Sequence, residues 1–106
     1  MVSYEDFKKL ELRIAEVLAA EPHPNADRLY VLTIRVGEAE KKIVAGIRLH
    51  YRPEELIGKK IVVVNNLEPA VIRGVESNGM LLAASEGESL TLLVPEKPIS
   101  TQAVVR

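Results

Sequence analysis

The sequence predicts an all-β domain: a five-stranded barrel with a short N-terminal helix, a short helix between strands three and four, and a C-terminal extension. Three observations carry that reading. Short apolar runs, several with apolar residues at every second position, recur along the chain, as expected of strands that bury one face or both. Helix signals appear at two places only, and each extends over a few residues. Between the runs stand clusters of Pro, Gly, Asn and Asp, the residues that make turns. With 106 residues, 47% of them hydrophobic, the chain supports one core and hence a single domain, residues 1–106.

Each element follows from local chemistry. Ser3, three residues before Asp6, gives a capping-box-like start, and Phe7 and Leu10 share one face of a short helix. Leu10, Leu12 and Ile14 then alternate with Glu11 and Arg13, and the phase shifts to Val17, so strand one is expected to bend at a bulge near Ala15. HPNAD, His23 to Asp27, is a turn-rich loop. Leu32, Ile34 and Val36 alternate with Thr33 and Arg35 as strand two, and Ile43 to Ile47 makes strand three. Pro53 just inside PEELI and Gly58 just after it bound the second helix. Ile61 to Val64 is a buried fourth strand, Met80 to Ala84 a fifth, and Leu90 to Val94 an additional pairing segment. A helix between strands three and four of such a barrel is the oligonucleotide-binding (OB) arrangement, whose first and fourth interstrand loops flank the ligand face. Those loops hold HPNAD and NLEPAVIRGVESN.

The stretch from Asn65 to Ser85 places Asn66, Arg73, Ser77 and Asn78 on glycine-rich turns, where polar groups are expected at the surface with donors and acceptors free. Arg73 is suited to a bidentate grip on phosphate, and Arg28, at the start of strand two, to neutralising another. Asn66 and Ser77 each offer a donor and an acceptor, as reading a 2′-hydroxyl or a base edge requires. Asn25 is a further candidate. Asp27 reads as a carboxylate that fixes its loop, since its charge repels phosphate. Met80, heading an apolar strand, reads either as core or as a ligand contact. Aromatic side chains number only four, Tyr4, Phe7, Tyr30 and Tyr51, which disfavours sequence-general binding of single strands and leaves shape recognition of a folded RNA.

Formal net charge is -1, but its distribution is uneven. Residues 1–27 carry 3 basic and 6 acidic side chains, residues 28–73 carry 9 and 5, and residues 74–106 carry 2 and 4. A basic middle on a near-neutral chain suits a binder of one folded polyanion better than a coating protein. Lys41, Lys42, Lys59 and Lys60 equally well serve to solvate strand starts. The absence of cysteine excludes disulfides and thiolate metal sites. His23 and His50 show no metal-ligand spacing, Ser77 lies in no nucleophile elbow, and no phosphate-cradling glycine loop is present, so neither catalysis nor a cofactor is expected. MVSYEDFKKL lacks an apolar signal region and no apolar run is long enough to span a bilayer; a cytoplasmic, membrane-free protein is the expectation.

NLEPAVIRGVESNGMLLAAS, together with HPNADRL, IVAGI and YRPEELIGKKIVVV, closely resembles the tRNA-binding domain family, from the opening helix to about Pro98. That family comprises the C-terminal appendage of methionyl-tRNA synthetase, free-standing tRNA-binding proteins and the C-terminal part of the multisynthetase cofactor. The resemblance implies a tRNA surface in or beside which the positions of Arg28, Asn66, Ser77 and Met80 fall. It also implies a homodimer joined through the termini, and a partnership with the methionyl-tRNA synthetase catalytic domain whose tRNA affinity the module raises. Two departures stand out. Val71 occupies a position where the family often has lysine, and Ile99 to Ala103 replaces the usual Pro-Gly turn of the tail. The alternative is a protein-binding module like the export chaperone that shares this fold and dimer; HPNAD and SNGM favour the tRNA branch.

Overall fold

The computed structural model describes all 106 residues. Its elements run α1 (Tyr4–Phe7), β1 (Leu12–Pro22), β2 (Tyr30–Val36), β3 (Ala39–Ala45), α2 (Pro53–Leu56), β4 (Lys60–Val64), β5 (Ala70–Ile72), β6 (Val75–Ser77), β7 (Met80–Leu81), β8 (Ala83–Glu86), β9 (Ser89–Leu92) and β10 (Val104–Val105). The main sheet has the order β3-β2-β1-β4-β7, all antiparallel. It curls into the OB-like barrel, with α2 between β3 and β4 as expected. Both helices start where their caps place them: Ser3 Oγ accepts from the Asp6 amide at 3.1 Å, and Pro53 opens α2. Neither helix is long and apolar enough to cross a membrane.

Strand β1 is long because it serves two neighbours. Leu12 to Glu16 pair with β4 in unbroken register, and Glu16 to Pro22 pair with β2. The bulge lies between Val17 and Ala19, not near Ala15, since the ladder to β4 runs through Ala15 without a shift. What changes near Ala15 is the buried face: Leu12 and Ile14 are buried outside the central cluster, whereas Ala15 and Val17 enter it. That cluster fills the barrel with Leu32, Ile34, Ile43, Ile47, Ile61 and Val63, and Leu56 of α2 plugs one end. Tyr51, just ahead of α2, is tied to β2 and β9. Tyr30 Oη donates to the Tyr51 carbonyl at 2.6 Å, and Tyr51 Oη accepts from the Leu92 amide at 3.1 Å.

The last quarter departs most from expectation. Met80 to Ala84 is not one strand: β7 stops at Leu81, and Ala83–Glu86 leaves to form a separate hairpin with Ser89–Leu92. The segment read as a loop, Ala70 to Ser77, contains a second hairpin, β5–β6, paired from Ala70↔Ser77 to Ile72↔Val75. The tail re-enters the structure. The Ala103 carbonyl accepts from the Ile14 amide at 3.0 Å, and β10 pairs with Leu12 and Arg13 on the edge of β1 that β2 leaves open.

Candidate nucleic-acid interface

Between β3 and β7 the barrel closes through individual groups rather than a strand ladder. The Asn78 amide donates to the Lys42 carbonyl at 2.9 Å, and the Val44 amide donates to Ser77 Oγ at 2.9 Å. Ser77 Oγ in turn donates to the Gly79 carbonyl at 3.0 Å. Gly79 has φ +138°, and a Cβ there would stand 3.0 Å from the Val64 carbonyl oxygen. The sequence SNG is thus a clasp that lets the chain cross from β6 to β7 while closing the barrel. Ser77 is only 3% exposed, so the surface position expected for it is corrected: both of its hydrogen-bonding functions face inward.

Asn66 is also corrected as a free polar group. Although exposed, it holds the start of β1 with both ends of its amide: Oδ1 accepts from the Glu11 amide at 2.8 Å, and Nδ2 donates to the Lys9 carbonyl at 2.8 Å. Its neighbour Asn65 donates through Nδ2 to Glu11 Oε1 at 3.1 Å. That bond, followed by the one from Arg13, holds the Glu11 carboxyl below its ordinary 4.5. Lys41 Nζ donates to the Asn65 carbonyl at 2.9 Å, and burial lowers its pKa while Glu11 opposes the shift.

At the other end of the segment the chemistry reverses. Ile72 and Val75 close the β5–β6 hairpin around a two-residue turn, Arg73 with φ 53° and Gly74 with φ 90°. Positive φ at both central positions is the type I′ turn, whose twist matches a hairpin. Arg73 accepts a left-handed conformation that costs a non-glycine residue on the order of 1 kcal/mol. The turn is tethered by the β1–β2 loop, where Asn25 Nδ2 donates to the Arg73 carbonyl at 3.2 Å and His23 Nε2 reaches the Ile72 carbonyl at 2.9 Å. Arg48 Nη1 holds that loop from below through the Ala26 carbonyl at 3.4 Å.

These tethers bring Arg28 and Arg73 to one open cleft of about 320 Å³, shared with Ala26, Asp27 and Leu29. Both arginines are exposed, and the ion pairs of the chain leave both guanidinium groups out. Asp27 faces the same cleft; its carboxylate makes no hydrogen bond, so it does not fix the loop as expected. Met80 is 47% exposed, which settles its position as surface rather than core. Asn25 is exposed as well. Of the basic middle segment, Lys41 and Arg48 bond to backbone carbonyls, Lys60 bonds to the Ile99 carbonyl and Arg35 pairs with Glu16 at 2.5 Å. Arg28, Lys42, Lys59 and Arg73 keep their charged ends unengaged. No aromatic side chain lines this cleft; Tyr30 is buried and Tyr51 half-buried.

Sequence reading missed His23, Arg48 and Lys41 as parts of the site's frame. His23 opens the turn-rich HPNAD loop, but its partner Ile72 lies 49 residues away and no local signal connects them.

Residues 12–102 match the model of the family described as "Putative tRNA binding domain". The methionine–tRNA ligase of Nanoarchaeum equitans is 47% identical over 106 residues, all of this chain, which spans 14% of that protein's length. Among solved structures, the MetRS-related protein of Pyrococcus horikoshii superposes with a TM-score of 0.93 at 33% identity, covering 100% of this chain and 98% of that one. The chaperone CsaA of Bacillus anthracis superposes with a TM-score of 0.90 at 33% identity, covering 100% and 99%. Fold, motif order and these likenesses agree: the chain belongs to the tRNA-binding domain family.

Proposed function

We propose that this domain binds folded tRNA through the rim formed by the β1–β2 loop and the tip of the β5–β6 hairpin. In this reading it serves methionyl-tRNA synthetase in the cytoplasm as a non-catalytic appendage, in cis or in trans, raising the enzyme's tRNA affinity. The observation that carries it is the pair of unengaged guanidinium groups, Arg28 and Arg73, held at one cleft by two tethered loops. Arginines carried on tethered backbone bind phosphate oxygens at spacings that the loops set, and so select a backbone shape. Met80 adds an exposed apolar contact on the same segment. Asn25 donates to the Arg73 carbonyl and therefore places the arginine.

Dimerisation through the termini is the second part of the proposal. Tyr4, Phe7, Leu10 and Val104 are exposed around one shallow depression at the junction of α1 and β10, an apolar face that a second copy would cover. Two tRNA rims on one dimer, or one rim tethered to a catalytic domain, raise effective concentration without new contacts.

A protein-binding role is the second reading, favoured by the likeness to CsaA and by the exposure of Val71 (72%) where the family often has lysine. Filter binding with labelled tRNA separates the two. Unlabelled tRNA should compete far better than a single-stranded homopolymer of equal length or an unfolded polypeptide. Equal competition by the homopolymer would end shape recognition, and preferential capture of the polypeptide would favour the chaperone-like role.

A further inference from the structure

The β5–β6 hairpin is a two-stranded arm that belongs to no larger sheet. Such a hairpin is marginal by itself, so its direction depends on what holds its two ends. At the base it is held by Ser77, Asn78 and Gly79. At the tip, two side chains of one loop hold it: Asn25, exposed, and His23, 3% exposed. His23 Nδ1 accepts from the Asn25 amide at 2.9 Å, so the ring proton belongs on Nε2, which donates to the Ile72 carbonyl at 2.9 Å. One neutral imidazole therefore shapes its own loop with one nitrogen and clamps the opposite hairpin with the other. No other side chain places an acceptor and a donor on opposite edges of a rigid ring.

We infer that His23 is a positioning residue for RNA binding: it locks the Arg73 tip against the loop that carries Arg28, and so sets the spacing of the two guanidinium groups presented to successive phosphates. This inference rests on the tRNA-binding reading. It concerns a residue that is buried, and it assigns the specificity of the rim to the joint between two loops rather than to either loop.

Substitution separates the two bonds of the ring. In His23→Asn the Oδ1 atom takes the place of Nδ1 and keeps the loop turn, but the side chain stops short of Ile72. In His23→Gln the side-chain amide reaches Ile72 and gives up the bond to Asn25. Amide hydrogen exchange on the free protein and tRNA filter binding are measured for both variants, alone and combined with Arg73→Ala or Arg28→Ala. His23→Asn should speed exchange across Val71 to Ser77 and weaken tRNA binding about tenfold, the scale of one lost buried hydrogen bond. His23→Gln should restore most of both. In the His23→Asn background Arg73→Ala should have little further effect, whereas Arg28→Ala should retain its full effect, because only the hairpin has been released.

Wild-type exchange and affinity in His23→Asn would overturn the inference, as would losses from His23→Asn and Arg73→Ala that simply multiply. If the wild-type domain does not bind tRNA while exchange responds as expected, the clamp stands as structure and the tRNA-binding reading fails. If both variants fail to fold, wild-type protein with the Asn25→Ala substitution, which removes the neighbouring tether to Arg73, provides the same comparison of exchange and affinity. An unchanged affinity there would then count against positioning by this loop.

Discussion

The two ends of the segment from Asn65 to Gly79 use the same kinds of residue for opposite purposes. At the base, Asn65, Asn66 and Ser77 turn their amides and hydroxyl onto β1, β3 and the Gly79 carbonyl. At the tip, Arg73 holds its backbone in a tethered turn and leaves its guanidinium free beside that of Arg28. The difference shows that a polar residue on a glycine-rich loop is free only where the loop has no unsatisfied backbone nearby. Barrel closure at the base leaves the Val44 amide without a ladder partner, and Ser77 supplies one. At the tip the hairpin ladder, together with His23 and Asn25 of the neighbouring loop, satisfies the backbone, so the Arg73 side chain is available.

The largest expected effect lies at the base. Ser77→Ala leaves a buried amide unsatisfied and should cost about 1 to 3 kcal/mol of folding stability. In a domain of this size that lowers the melting temperature by roughly 5 to 20 °C. An unchanged melting temperature with weakened tRNA binding would place the hydroxyl at the ligand instead. Asn66→Ala, next in size, removes two exposed hydrogen bonds that pin the start of β1 and should cost about 1 kcal/mol. Faster hydrogen exchange confined to Lys9 through Leu12 would locate that loss; uniform exchange would deny the pinning role.

Met80→Ala moves from base toward surface, and the half-exposed side chain should alter stability by no more than about 1 kcal/mol while tRNA binding weakens. A drop of several kcal/mol in stability would return Met80 to the core. The smallest effect concerns Glu11, whose folded pKa is lowered by its bonds from Asn65 and Arg13. A carboxyl with a depressed folded pKa adds stability above its unfolded value and loses it as pH falls through the folded one. Wild type should therefore exceed Glu11→Gln slightly in stability at neutral pH, with the gap closing on acidification below 4.5. Solvent screening keeps the gap small. A gap that widened in acid would contradict the assigned network.

Much of the barrel is legible in the sequence because its rules are local. Alternation in Leu32 to Val36, the Ser3 cap and the Pro53 to Gly58 bracket each occur within a few residues, and each appears where expected. The β5–β6 hairpin was missed because Arg73-Gly74 disguises a type I′ turn: arginine rarely takes positive φ, and its strands are only three residues long. The candidate site was half legible. Arg28, Arg73 and Asn25 lie exposed, as polar residues on short turns should, and Met80, which the sequence leaves open between core and contact, is exposed at the head of β7. Ser77 and Asn66 were misread as free, because only the closed barrel brings Val44 and Glu11 to them from 33 and 55 residues away. Likewise, the basic count of the middle segment overstated the free charge, since Lys41, Arg48 and Lys60 bond to carbonyls.

The central claim, that Arg28 and Arg73 form one phosphate-binding unit, is tested most directly by the salt dependence of tRNA affinity. With about three phosphates neutralised, the log-log slope for wild type should be about -2 to -3, and the Arg28→Ala/Arg73→Ala double variant should flatten it by about 1.5 to 2. Its melting temperature should match wild type, because neither guanidinium makes a bond within the protein. A double variant that keeps the wild-type slope would contradict the account and remove the cleft from the binding surface.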